Sequence, residues 1–448
     1  MIAININKKY LISSIAIVLT LCFAHVIGNR LMILACLAAY MFLAAWCCCD
    51  DFTLPILLFF LPWSPIMRLS PGSYSFYTFG MVMICVISVV KKRFHLKRYQ
   101  ITAGVILLFL TLLSKLLEGN SLTFDYIAFM MMIVLFPTVH EEERKYKYDF
   151  YQIVIFLSFG VVIASLCAMY CAEYYNIRQF IRVDSYLTII RRCGFYGDPN
   201  FYVAQILAAL GGTLSLTLKD IKKKQLILLG IITLFLFYCG MLSGSKSFVL
   251  VAAVILMIWI IAILSMRKRT ALKIVLLSCV VGVAVFVASS VMFSGLIEVI
   301  TTRFSFAKDV DSFTTGRTEL WWSYFEVLFE DPKTFLLGKG ITNIKVNARA
   351  SHSTIIQIFY QLGLLGSPVL IYWIICYFRR SEQRGIRRLG LGELMVVTGA
   401  FMPWLAIDAM LFDEFFLFPW YVIVAIKSFQ INRETIISVE ESKRKVTE

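Results

Sequence analysis

Arg178, Arg182, Arg191 and Arg192 lie within the fifteen residues 178–192, beside Glu173, Asp184 and Asp198. Guanidinium groups bind phosphate through paired, charge-assisted hydrogen bonds, so a pyrophosphate-bearing ligand is one reading of this cluster, with Arg191 foremost. Pairing with lipid headgroups or with the neighbouring carboxylates is the other. Gly194-Phe-Tyr-Gly-Asp198-Pro199-Asn200 follows directly. Asp-Pro is a sound helix start, with Asp198 as cap and Pro199 at the first helical position, and capping alone accounts for Asp198. Ser243-Gly-Ser245-Lys246-Ser247 forms a turn between two apolar stretches. Lys246 there either reaches an anion or snorkels to the headgroups. Further on come Thr315-Gly316-Arg317, Leu337-Gly338-Lys339-Gly340 and Ser351-His352-Ser353. Imidazole is the side chain best suited to proton transfer near neutral pH, although a lone interfacial histidine is usually structural. Asp309-Val-Asp311 has the spacing some transferases use for a divalent ion, but no histidine or further carboxylate flanks it. No metal site and no cofactor are expected, since phosphate loops, zincin helices and nucleophile elbows do not occur.

The elements that must position these residues are membrane helices. The chain of 448 residues is 60% hydrophobic and 16% charged, with mean hydropathy +0.79. A soluble domain is about half apolar and a quarter charged. Segments crossing lipid must satisfy their own backbone, and continuous rather than alternating apolar runs make them helices. The fold expected is all-α and polytopic, a single membrane domain over 1–448. Apolar runs near 11–27, 31–48, 74–90, 99–117, 122–139, 149–170, 199–218, 225–242, 247–265, 271–293, 353–378 and 390–409, with weaker ones at 52–67 and 415–429, give about 12–14 transmembrane helices. The first run is a retained helix, because no small-residue cleavage site follows it.

The formal charge of +15 does not imply nucleic acid, because the cations sit in short loops. Lys8 and Lys9, the loop 91–98, the segments 140–147, 219–224, 266–273 and 379–388, and the C-terminal tail fall on one side by alternation. Together they hold 28 of the 43 Lys and Arg residues. That bias predicts an N-in, C-in topology and requires 52–67 to cross. Two long loops then face outward, 171–198 and 294–351, with an amphipathic helix near 319–330 lying at the interface or on the protein's own roof. His25 and His352 face out, and His95 and His140 face in. The twelve cysteines mostly lie in apolar runs, Cys47, Cys48 and Cys49 are too close together for a zinc site by themselves, and pairing of Cys171 with Cys193 is left open.

Taken in order, Arg191-x-x-Gly194 with Asp198-Pro199-Asn200, the Ser-Gly-Ser-Lys turn at 243–246, and Thr-Gly-Arg317 with Trp321 resemble the bacterial O-antigen ligase and O-antigen polymerase superfamily. Leu337-Gly-Lys-Gly340, His352-Ser-Thr-Ile-Ile and Leu362-Gly-Leu-Leu-Gly366 complete the set, which runs from about 190 to 370. The N-terminal third matches only in being helical. The resemblance implies a metal-independent glycosyltransferase on the outer face of a bacterial cytoplasmic membrane. Its donor is a glycan on undecaprenyl pyrophosphate, its acceptor a sugar hydroxyl, and its further partners membrane lipid, a flippase and a chain-length regulator. Arg191 and Arg317 would hold the pyrophosphate and His352 the acceptor, with Arg192, Lys246, Asp198 and Asn200 in the substrate site. Lys246 stands where family members often carry arginine, and Ser353 where asparagine often follows the histidine. The Asp-Pro-Asn form is more similar to polymerases of surface polysaccharide than to ligases. A ligase acting on a lipid or protein acceptor, or a lipid-linked glycan flippase or transporter, are the alternative readings.

Overall fold

A computed structural model describes residues 6–91, 98–117, 126, 129, 133, 150–171, 174–180, 184–186, 189–219, 221–265, 282, 316–341, 345–347, 349–378, 389–409 and 417–428. Regular structure among them is helical, apart from one small hairpin. The helices are α1 (Lys8–Ile27), α2 (Arg30–Cys49), α3 (Thr53–Phe60) continued as a 3-10 turn (Leu61–Ile66), α4 (Phe76–Val90) and α5 (Arg98–Leu117). There follow α6 (Phe150–Cys171), α7 (Tyr175–Arg178), the strands β1 (Asp184–Tyr186) and β2 (Ile189–Arg191), α8 (Pro199–Thr217), α9 (Lys223–Leu242) and α10 (Lys246–Leu264). The last are α11 (Arg317–Phe329), α12 (Pro332–Leu337), α13 (Thr354–Phe378), α14 (Leu391–Phe401) and α15 (Leu417–Ser428). Among the described residues six helices are long and apolar enough to cross a membrane: α1, α2, α6, α9, α10 and the Thr354–Ile375 part of α13. Five shorter apolar helices accompany them. The runs expected at 122–139 and 271–293 lie largely outside the described residues. The all-α expectation holds among the described residues, and the hairpin adds three paired residues on each strand.

Side-chain contacts order the two ends of the bundle. At the start of α1, the Tyr10 hydroxyl donates to Asp50 and its ring stacks 5.1 Å from Phe52. At its far end, His25 Nε2 lies 2.7 Å from the Ile66 carbonyl. Tyr10 to His25 rises about 22 Å, and Thr53–Ile66 rises about 24 Å when its second half is 3-10. The proline-bearing segment thus runs beside α1 through the same depth. Cys48 Sγ lies 3.8 Å from Ser88 Oγ, which returns α4 and Lys91 to the Lys8 end. Cys22 and Cys171 sulfurs lie 3.3 Å apart, so α6 is parallel to α1. Cys193 instead donates to the Arg191 carbonyl at 3.9 Å, and Cys171 and Cys193 are both free thiols.

Helix α8 is the hub, buried on nearly every face from Pro199 to Leu216. Its Tyr202 hydroxyl donates to Ser165 Oγ (2.7 Å) near one end, and Lys219 sits 5.9 Å above the Phe150 ring at the other. Gly211 and Gly399 let α14 approach so closely that a Cβ at either would lie within 2.5 Å of a backbone oxygen across the contact. Lys8, Lys9, Lys91, Lys219 and Lys222 to Lys224 consequently share one end of the bundle. Arg191, Asp198 and the 243–247 turn share the other.

Helix α13, which covers the apolar run expected at 353–378, is broken at Gly363 (φ 65°, ψ −171°). The carbonyls freed by the break are taken by the Leu337-Gly-Lys-Gly340 loop: Lys339 N donates to Tyr360 O (2.8 Å) and Gly340 N to Gln361 O (2.9 Å). Gly338 and Gly363 touch, and a Cβ on either would fall 2.5 Å from backbone atoms of the other segment. Two glycine motifs far apart in sequence are therefore halves of one joint, which satisfies backbone groups that the break would otherwise orphan.

Candidate functional site

Arg191 ends β2, paired in register with Asp184, and is buried. Its Nε donates to the Ser243 carbonyl (3.1 Å), and the Arg192 amide donates to Leu242 O (3.2 Å). The hairpin is thereby stitched to the α9–α10 turn. Asp198 caps α8, its Oδ1 accepting from Asn200 N (2.6 Å). Asn200 Oδ1 accepts in turn from Ser245 Oγ (2.7 Å) and Ser247 Oγ (3.3 Å). Lys246 opens α10 between those two serines. Asp-Pro-Asn and Ser-Gly-Ser-Lys, read separately in the sequence, form one network here. The capping reading of Asp198 holds alongside its place in that network.

His352 lies just before α13 in a left-handed conformation (φ 51°), rare for a residue with a Cβ. It is held there by Asp408. The His352 amide donates to Asp408 Oδ2 (2.7 Å) and the Ser351 hydroxyl to Oδ1. Thr354 fixes the same loop, its hydroxyl donating to Ile407 O (2.8 Å) and accepting from Ala409 N (3.0 Å). His352 Nδ1 stands 3.9 Å from Asp408 Oδ2, an ion-pair distance when the ring is protonated but too long for a hydrogen bond, and among the described residues it has no hydrogen-bond partner. The His352 side chain is about a third exposed. Burial pushes the Asp408 carboxyl above the usual carboxylate range, against the Ser351 hydroxyl and the His352 contacts, which pull it down. Asp408 was not marked by the sequence because it ends the apolar run 390–409. The signal available was an acid at the edge of a span, which carries a functional prior of its own.

Arg317 is the first residue of α11 and is half-buried, with charges of both networks acting on it. Burial lowers its pKa, the charges of Asp198 and Asp408 oppose that shift, and the charge of Arg191 adds to it. Its guanidinium thus feels one carboxylate from the α8 network, one from the His352 loop, and the second arginine. Trp321 Nε1 donates to Ser351 O (2.9 Å) and the Tyr324 hydroxyl to Arg349 O (2.8 Å), so α11 also carries the strand leading into His352. Asp331 caps α12 by accepting from Lys333 N and Thr334 N (3.2 and 3.1 Å), the same Asp-Pro start as at α8.

Chemically, a buried and a half-buried arginine at the same end of the bundle as a held imidazole suit an anionic leaving group and a hydroxyl nucleophile. The structure brings Arg191, Asp198, Asn200, Arg317 and His352 to one end of the bundle, with Lys246 adjoining through its neighbouring serines. Arg192 joins through its backbone amide. Arg178 is exposed on α7. Arg182, Asp309, Asp311, His95 and His140 lie outside the described residues, and His25 is a buried structural histidine packed on Phe180. Compared with models of known protein families the chain matches none, and no characterised protein is significantly similar to it in sequence.

Proposed function

We propose that this protein is a glycosyltransferase of the O-antigen polymerase and ligase type. In this reading it extends lipid-linked repeat units on the outer face of a bacterial cytoplasmic membrane. The observation that supports it most is the setting of Arg317, among Asp198, Arg191 and the Asp408 that holds His352. The donor pyrophosphate lies against Arg191 and Arg317. The acceptor hydroxyl attacks the anomeric carbon while His352 Nε2 takes its proton. The bond from that carbon to the pyrophosphate oxygen breaks, and the electron pair leaves with the lipid pyrophosphate. Two fixed guanidinium groups oppose the charge that develops, which needs no reorganisation at the moment of departure. Nδ1, turned toward Asp408, is shielded by that carboxylate as the ring becomes cationic.

Purified protein supplied with lipid-linked repeat units tests the reading. A ladder of longer chains is expected, and its absence with transfer to a lipid-core or protein acceptor would make the protein a ligase instead. His352→Ala is expected to lower extension by about a hundredfold with donor binding nearly intact. Arg317→Ala is expected to weaken both.

A further inference from the structure

Helix α11 has three faces. Leu320, Tyr324 and Leu328 are buried against Val346, Ile356 and Tyr360. Trp322 and Phe329, seven residues apart and on one stripe, are 66% and 67% exposed. Glu319, Glu326 and Glu330 are exposed about 40–80° further round from Trp322. The aromatic stripe does not stop at the helix end. The Phe329 ring lies 5.4 Å from Phe335 of α12, and Leu336 beside it is 41% exposed. Helix α12 is fastened to the end of α5, where Lys333 Nζ donates to the Leu117 carbonyl (2.8 Å) and Ser114 Oγ to the Gly338 carbonyl (2.8 Å). The outward side of α5 there is Phe109, Leu116 and Leu117, at 62%, 68% and 49% exposure.

The apolar surface of α5 thus continues, at the level where an ammonium group meets its last carbonyls, onto the aromatic edge of α11 and α12. We propose that this edge docks into the phospholipid leaflet at the site's end of the bundle, with Trp322, Phe329 and Leu336 among the acyl chains and the three glutamates toward water. A helix with one apolar edge lying flat and an aromatic residue at its border is the form interfacial anchors take. Consecutive tryptophans then have opposite tasks: Trp322 enters lipid while Trp321 holds Ser351. Because Arg317 begins the same helix, docking sets the height of Arg317 and His352 above the lipid. A lipid-borne pyrophosphate would present itself at that height, a consequence that rests on the proposed donor; the docking itself does not.

The test uses the full-length protein in nanodiscs of phosphatidylethanolamine and phosphatidylglycerol whose acyl chains are brominated. Phe329, Glu326 and Phe109 are replaced one at a time by a fluorescent non-natural amino acid. Quenching at 329 is expected to match that at 109 and to exceed that at 326 about twofold or more. The same result is expected with the fluorophore at 322, which guards against a misfolded 329 variant. Quenching at 329 and 322 no greater than at 326, with 109 strongly quenched, overturns the proposal. No activity enters the readout, so a wild-type protein that fails to extend glycans would sink the proposed function and leave the docking result standing.

Discussion

Replacing Asp408 by Asn keeps the shape of the side chain and removes its charge. The carboxylate accepts from the Ser351 hydroxyl and from the His352 amide (2.7 Å), and the variant turns one of those acceptors into a donor facing a donor. Hydrogen bonds to a charged group contribute about 1.5–3 kcal/mol each. The left-handed conformation of His352 costs about 1–2 kcal/mol more, which these contacts help to offset. Losing about 3 kcal/mol of positioning predicts a fall of about a hundredfold in kcat for glycan extension. Donor affinity should change less than turnover, since Asp408 is hydrogen-bonded to the histidine loop and reaches Arg317 through its charge alone. The assay is initial extension rate with purified protein at saturating donor, alongside donor binding and thermal unfolding. Because Asp408 acts through His352, adding His352→Ala to Asp408→Asn should cost little more than His352→Ala alone. A well-folded Asp408→Asn protein within about threefold of wild-type turnover, or fully multiplicative losses in the double variant, would refute the reasoning.

Three further outcomes follow from the same geometry. The Asp408 carboxyl is raised by burial, so on acidification it protonates before ordinary carboxylates do. A group whose pKa is higher folded than unfolded stabilises the fold below its unfolded value and loses that contribution as pH rises through the folded value. Tm should therefore gain on acidification through that window while turnover drops, and Asp408→Asn should abolish the opposed trends in paired pH scans. Gly363→Ala places a Cβ 2.5 Å from Gly338 N at a positive φ, and should cost about 2 kcal/mol or more, read as lowered Tm and membrane abundance, whereas Lys339→Ala should keep both near normal. Mild oxidation of the purified protein should cross-link Cys22 to Cys171, whose sulfurs lie 3.3 Å apart, and leave Cys193 free, as peptide mapping would show.

Local chemistry was legible in the sequence wherever a residue type carries its own geometry. Asp198-Pro199 starts a helix because a carboxylate cap and a fixed φ do so in any context. Apolar length marked the long helices for the same reason. The 52–67 segment, doubtful for its prolines, runs beside α1 because a 3-10 turn spends proline's missing N–H cheaply. What escaped needed contact between distant segments. The sequence marks Gly363 only as part of Leu362-Gly-Leu-Leu-Gly366, and only the arrival of Gly338 makes it a break. Asp408 is one acid in an apolar run, and its meaning depends on a histidine loop 56 residues earlier in the chain. The strand ending at Arg191 is three residues long, too short for any period to show.

The central claim is that charge developing on a lipid pyrophosphate is met by Arg191 and Arg317 while His352 takes the acceptor proton. Its most direct test is mass-spectrometric counting of free lipid pyrophosphate against new glycosidic bonds, in purified protein given lipid-linked repeat units and excess chelator. One lipid pyrophosphate per bond is predicted, with both products falling together by about a hundredfold or more in Arg317→Ala and His352→Ala. Bond formation without lipid pyrophosphate release, or full release in the Arg317→Ala protein, would contradict the account.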